Sequence, residues 1–186
     1  GGDPRSRGAR ALENGAKLLD LLDVFHTDEI LEDERMTLNE LIEAAWPAVQ
    51  PHAGARFITF SMRGLEHSLP PLYGSRRLML RAMNELMLNA CQHATPGKSS
   101  EDPSVVDIEA QLDGDWLLVR FANRGMGFIA KLQGRAFLPF SRPKHAPRMP
   151  SSGPGIGLAL LRRIVELHGG TVDVSEPDSA HVTVSL

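Results

Sequence analysis

The stretch LMLRAMNELMLNACQHA, Leu78–Ala94, is helical by its spacing and two-faced by its chemistry. At about 100° per residue, Met79, Met83, Leu86 and Ala90 line up as a core stripe, while Glu85, Asn89, Gln92 and His93 form a polar stripe beside it. A carboxylate, two amides and an imidazole therefore share one strip of a helix expected to run from Ser75 to about Ala94. Oxygen donors so arranged suit a hard cation such as Mg²⁺, which keeps much of its water and takes few protein ligands. A solvated helix face explains the same stripe, so its meaning depends on its surroundings.

Working outward, SVVDIEAQ and DWLLVRF alternate like strands that bury Val106, Ile108, Leu117, Val119 and Phe121, and Gly114 between them marks a hairpin. RFITFSM upstream, with Ile58, Phe60 and Met62 on one face, and GTVDV and HVTVSL downstream are further strands. TLNELIEAAWPAVQ opens with a capping box, Thr37 three residues before Glu40, and continues with Leu38, Leu41, Ile42, Ala45 and Val49 at helical spacing until about Pro51. IGLALLRRIVELHGG is a third helix, ended by Gly169 and Gly170. An antiparallel-rich sheet covered by helices on a single face, an α+β sandwich, accommodates all of these. Ahead of it, Ala9 to about His26 carries a broad apolar side (Leu12, Ala16, Leu18, Leu19, Leu22, Phe25), too wide for a helix standing alone and suited to a partner helix. The acidic stretch Asp28–Glu34 separates the two parts, which divides the chain into residues 1–35 and 36–186.

Composition excludes several classes. A chain of 186 residues that is 42% hydrophobic and 23% charged describes one globular domain with an appendage. Its net charge of −3 argues against a general nucleic-acid binder. Cys91 is alone, so no disulfide forms within the chain and a reducing, cytoplasmic setting fits. No apolar run reaches the ~18 residues of a membrane span, so a membrane anchor of the parent protein would lie elsewhere. GGDPRSRG at the start reads as a flexible leader.

Two glycine-rich turns add chemistry. In FANRGMGF, Phe121–Phe128, a strand ends at Asn123 and turns at Gly125 and Gly127, which let backbone approach a flat ligand; a tight turn explains the pattern as well. In SSGPGIGLAL, Gly153, Gly155 and Gly157 precede a helix whose free N–H groups suit phosphate, although such loops also serve as plain punctuation. The aperiodic segment between the turns is long enough for a lid, and carries Arg142, Lys144 and Arg148.

In sequence, E-x-x-x-N-A on a helix, strand–N-x-G-x-G, FLPF and G-x-G-x-G-L–helix resemble the ATP-binding catalytic domain of sensor histidine kinases, in the GHKL ATPase superfamily. The resemblance runs from about Met36 to Leu186. It implies a Bergerat-type fold, a mixed, mostly antiparallel five-stranded sheet with three helices on one face. The N-terminal helix then resembles the second helix of a dimerisation and phosphotransfer hairpin, which makes a homodimer and a response regulator the implied partners. ATP and Mg²⁺ are the implied cofactors. Asn89 is expected to coordinate Mg²⁺, Asn123 to meet the adenine edge, Gly125 and Gly127 to make room for the base, and Phe137 and Phe140 to anchor the lid. Gly153, Gly155, Gly157 and Leu158 wrap the phosphates, His93 lines the pocket, and Arg142 supplies positive charge from the lid.

Three departures are informative. Glu85 stands where many histidine kinases have a second asparagine, and hydrolytic relatives use a glutamate there to orient water; it suits a general base or a holder of hydrated metal. Gln92 stands where a phosphate-touching cation is common. Asn123 stands where the family has an aspartate, and because an amide offers a donor beside its acceptor it is expected to keep adenine binding but relax discrimination between adenine and guanine. These departures leave open a degenerate, non-catalytic version of the fold that serves as a dimerisation or regulatory module. None of the histidines at 26, 52, 67, 93, 145, 168 and 181 lies in a helix followed by the acidic residue of an acceptor box, so the acceptor histidine is expected on a helix outside this chain. His168, at a helix terminus where a cation favours the dipole, reads as structural.

Overall fold

The computed structural model describes Gly15 and residues 18–19, 22–27, 30, 33–64, 69–123, 135–141, 155–175 and 180–186. In chain order these form β1 (Glu34–Met36), α1 (Leu38–Gly54), β2 (Ile58–Arg63), β3 (Leu72–Gly74), α2 (Arg76–His93), β4 (Ser104–Asp113), β5 (Trp116–Asn123), α3 (Gly157–Leu167), β6 (Thr171–Ser175) and β7 (Ala180–Ser185). The main sheet has the order β2-β4-β5-β7-β6. Only β2 and β4 run parallel; the other neighbours are antiparallel. The expected mixed, mostly antiparallel five-stranded sheet is therefore present.

Alternation decides which face is covered. On β4 and β5 the residues Val106, Ile108, Ala110, Leu117, Val119 and Phe121 are buried under the helices. Asp107, Glu109 and Arg120 point the other way, where Arg63 reaches Asp107 at 3.2 Å and Glu109 at 3.6 Å, and Arg120 reaches Glu109 at 3.6 Å. Pairs this exposed contribute little each and serve mainly to keep the open face polar. The hairpin turns at Gly114, whose φ of +60° few other residues adopt readily.

The helix layer closes the sandwich, with α1 against α2 and α2 against α3. Thr37 caps α1 as expected: its hydroxyl accepts from the Glu40 N–H at 3.2 Å and its own N–H donates to the Glu40 carboxylate at 2.8 Å. That backbone bond holds the Glu40 carboxyl below its ordinary range. The expected stop near Pro51 is not observed: α1 continues through Pro47 and Pro51 to Gly54. Burial of Val49 and Ala53 favours the longer helix, and the Ala55 N–H still finds the Pro51 carbonyl at 3.1 Å. On α2, Cys91 is fully buried, which pushes its thiol up to about 11 and leaves it unreactive at neutral pH.

A small ribbon joins the start of the domain to its middle, because β1 pairs antiparallel with β3 and buries Met36. The boundary placed after residue 35 falls inside this ribbon. Further upstream, Val24 of the helical residues 22–26 is buried against the domain, while Leu18, Leu19, Leu22 and Phe25 stay exposed. Arg163 of α3 donates to the Thr27 carbonyl at 2.6 Å and so holds that helical end down.

Candidate nucleotide site

The core stripe of α2 is buried as its spacing predicts, with Met79, Met83, Leu86 and Ala90 all inside. Beside it Glu85 is 8% exposed, Asn89 and Gln92 are half-buried and His93, the last residue of the helix, is exposed. The stripe therefore dips below the surface at Glu85 and rises toward His93. A fully solvated face would not bury a carboxylate.

Two approaches define the surroundings of the Glu85 carboxylate. Arg81, one turn earlier, brings a guanidinium nitrogen to 3.3 Å from one carboxylate oxygen. The other oxygen lies against Gly157, the first residue of α3, at the place a Cβ would occupy. Gly157 is needed there for space and not for a special φ. The helix it opens starts at Ile156 without a side-chain cap hydrogen bond among the described residues, so no side-chain cap competes there for its leading N–H groups. Leu158, next along, packs half-buried on the core.

Gly155 adopts a φ of +78° and its carbonyl accepts from the Phe140 N–H at 2.9 Å. A Cβ on Gly155 would stand 3.3 Å from the Ser141 carbonyl, so the end of FLPF lies directly on this glycine turn. Phe140 itself holds φ +62°, an uncommon conformation for a bulky residue, and its ring is exposed. Phe137 is the inward anchor: it is half-buried on the core, with the Arg162 guanidinium 5.5 Å from its ring centre.

Asn123 ends β5 and continues the inward row of Leu117, Val119 and Phe121, so it faces the helix layer at 9% exposure. Its strand packs against α2. The structure thus brings Glu85 to Gly157 and FLPF to Gly155, and puts Asn123 on the helix-bearing side of the sheet. Gly125, Gly127, Arg142 and Gly153 lie outside the described residues, as do Lys144 and Arg148. Arg81, the ion-pair partner of Glu85, is a neighbour that sequence reasoning misses; its place four residues before Glu85 is the available signal.

His168 is structural for a different reason from the one its position suggests. Its Nε2 accepts from the Ser75 N–H at 3.1 Å, so the proton sits on Nδ1, which donates to the Ile164 carbonyl at 2.7 Å. The ring acts as a neutral clamp between the start of α2 and the end of α3, not as a cation on a dipole. Gly74, at φ +141°, leaves room for it.

A three-helix layer on this mixed sheet, with an acidic-amide helix stripe meeting a glycine turn, is the architecture of a Bergerat-type ATP-binding domain. The family model of histidine kinase-, DNA gyrase B- and HSP90-like ATPases matches residues 74–186, and the chain belongs to that family. Among curated relatives, the alginate biosynthesis sensor protein KinB of Pseudomonas aeruginosa is 30% identical over 148 residues, which cover 79% of this chain and 23% of KinB. The sensor histidine kinase ZraS of Escherichia coli is 26% identical over 171 residues, 92% of this chain and 33% of ZraS. The chain thus spans a quarter to a third of the length of these relatives. Full-length ShkA in complex with AMPPNP superposes with a TM-score of 0.77 at 18% identity, covering 97% of this chain and 36% of that one. The catalytic domain of the histidine kinase ThkA gives 0.67 at 20% identity, covering 84% of this chain and 95% of that domain. The two superpositions establish the fold.

Proposed function

We propose that this chain is the ATP-binding catalytic domain of a sensor histidine kinase, which binds Mg–ATP and passes the γ-phosphoryl group to a histidine on a separate helix. The observation that carries the proposal is the contact of Glu85 with Gly157, since it joins the polar stripe of α2 to the glycine turn that opens α3. Asn123 then meets the base from the sheet, and Gly125 and Gly127 make room for it. Gly153, Gly155, Gly157 and Leu158 follow the phosphates with backbone N–H groups, and Arg142 adds charge from the lid. Asn89 and Glu85, one turn apart, are oxygen donors of the kind Mg²⁺ takes when phosphate and water complete its shell. Mg²⁺ supplies charge neutralisation on the phosphates. Asn89 would hold it, Glu85 would face its water or act as the base, and His93 would border the pocket. The protein's contribution to phosphoryl transfer is positioning and electrostatics.

A homodimer of the parent protein through the N-terminal helix is supported by the exposure of Leu18, Leu19, Leu22 and Phe25, and a response regulator follows from the kinase assignment. Among the described residues no helix is long and apolar enough to cross a membrane. The test is titration with a fluorescent ATP analogue, with and without Mg²⁺. Wild type should bind, Mg²⁺ should tighten binding, and Asn89→Ala should lose most of that tightening while keeping its metal-free affinity. A chain that binds equally with and without Mg²⁺, unaffected by Asn89→Ala, would remove Asn89 from the metal site.

A further inference from the structure

We infer that Arg81 is a positioning residue of the phosphate end of the site, and that it acts by neutralising and holding Glu85. The inference rests on the ATP-binding reading above and supplies what Gln92 lacks, a cation on α2 that offsets negative charge where phosphate arrives.

Three observations carry it. First, the pair is not a surface ornament: the Glu85 and Arg81 side chains are 10% and 29% exposed, so water screens the carboxylate poorly and its charge is felt nearby. Second, the order of the pair, Arg before Glu at i and i+4, is the less favourable one for helix stability, so helix formation alone is a weak reason for it. Third, the two carboxylate oxygens have different surroundings: one is ion-paired with the Arg81 guanidinium at 3.3 Å, and the other fills the space that Gly157 leaves at the first residue of α3. A bare carboxylate there would repel an incoming polyphosphate from the helix start that otherwise attracts it. With Arg81 in place the charge of Glu85 is balanced beside the start of α3.

The charge argument separates phosphate from base. The experiment measures affinity of the chain for a fluorescent ADP analogue in EDTA, which removes the metal, and for adenosine by competition. Arg81→Met should weaken ADP binding at least about tenfold, because an uncompensated buried carboxylate then faces the phosphates, and should leave adenosine binding unchanged. Arg81→Lys should stay within about threefold of wild type, since a cation is retained. Arg81→Met combined with Glu85→Gln should recover ADP binding, because removing the carboxylate removes the need for its partner. A purely structural Arg81 would instead weaken ADP and adenosine alike and gain nothing from Glu85→Gln; that pattern overturns the inference, as does an Arg81→Met chain that binds ADP like wild type. If Arg81→Met does not fold, the lysine and double variants decide the question. A wild-type chain that binds no nucleotide overturns the ATP-binding reading itself, which sets that failure apart from failure of the Arg81 assignment alone.

Discussion

Asn123 concentrates the residue-scale chemistry. It is a neutral amide at 9% exposure on the helix-facing row of β5, in the place the resemblance gives to a base-reading carboxylate. Exchanging a charge-assisted hydrogen bond for a neutral one costs about 1 kcal/mol, or roughly fivefold in affinity. Asn123→Asp should therefore tighten ATP binding about fivefold by calorimetry and abolish whatever GTP binding the wild type shows. Unchanged affinity for both nucleotides would mean that position 123 never meets the base. Residues whose role follows from spacing are legible in the sequence: Glu85 and Asn89 stand one turn apart beside a stripe of Met and Leu. Arg81 is not legible in that way. An arginine four residues before a glutamate ordinarily marks an exposed helix face, and only the burial of Glu85 against Gly157 gives it another meaning.

At the scale of elements, the His168 clamp sets how α3 sits on α2. The ring takes the N–H of Ser75, a fully buried residue, and returns its own proton to α3. His168→Phe keeps an aromatic ring but leaves that N–H without its imidazole acceptor, which should cost at least about 1–3 kcal/mol in urea unfolding. Nucleotide affinity at saturating stability should change little, since the clamp lies at the opposite end of α3 from Gly157. A variant as stable as wild type would show that Ser75 finds another partner. Long amphipathic elements are readable because burial repeats along them, as Leu38, Leu41, Ile42, Ala45 and Val49 do on α1. The ribbon of β1 and β3 escapes a sequence reading because three residues carry no period, and its pairing spans residues far apart in the chain. Pro51 misleads for a related reason: a local rule against proline in a helix yields to the burial of Ala53 beyond it.

For the whole molecule, the sandwich puts a hydrophobic seam between sheet and helices, and the proposed chemistry falls at the end of β5 and the start of α3. FLPF lies on Gly155 and Gly157 lies on Glu85, while Asn123 faces the helix layer from the end of β5. The docked helical end at Val24 and Thr27 links that fold to the exposed apolar stripe upstream. The most direct test of the central claim, that the polar stripe of α2 and the opening of α3 line a single nucleotide cavity, is amide hydrogen exchange of this chain with and without Mg–ATP. Peptides covering 85–93 and 155–161 should slow together, with the same dependence on nucleotide concentration, while those of β2 and β6 stay unchanged. Slowing confined to one of the two segments, or to neither at saturating nucleotide, would contradict it.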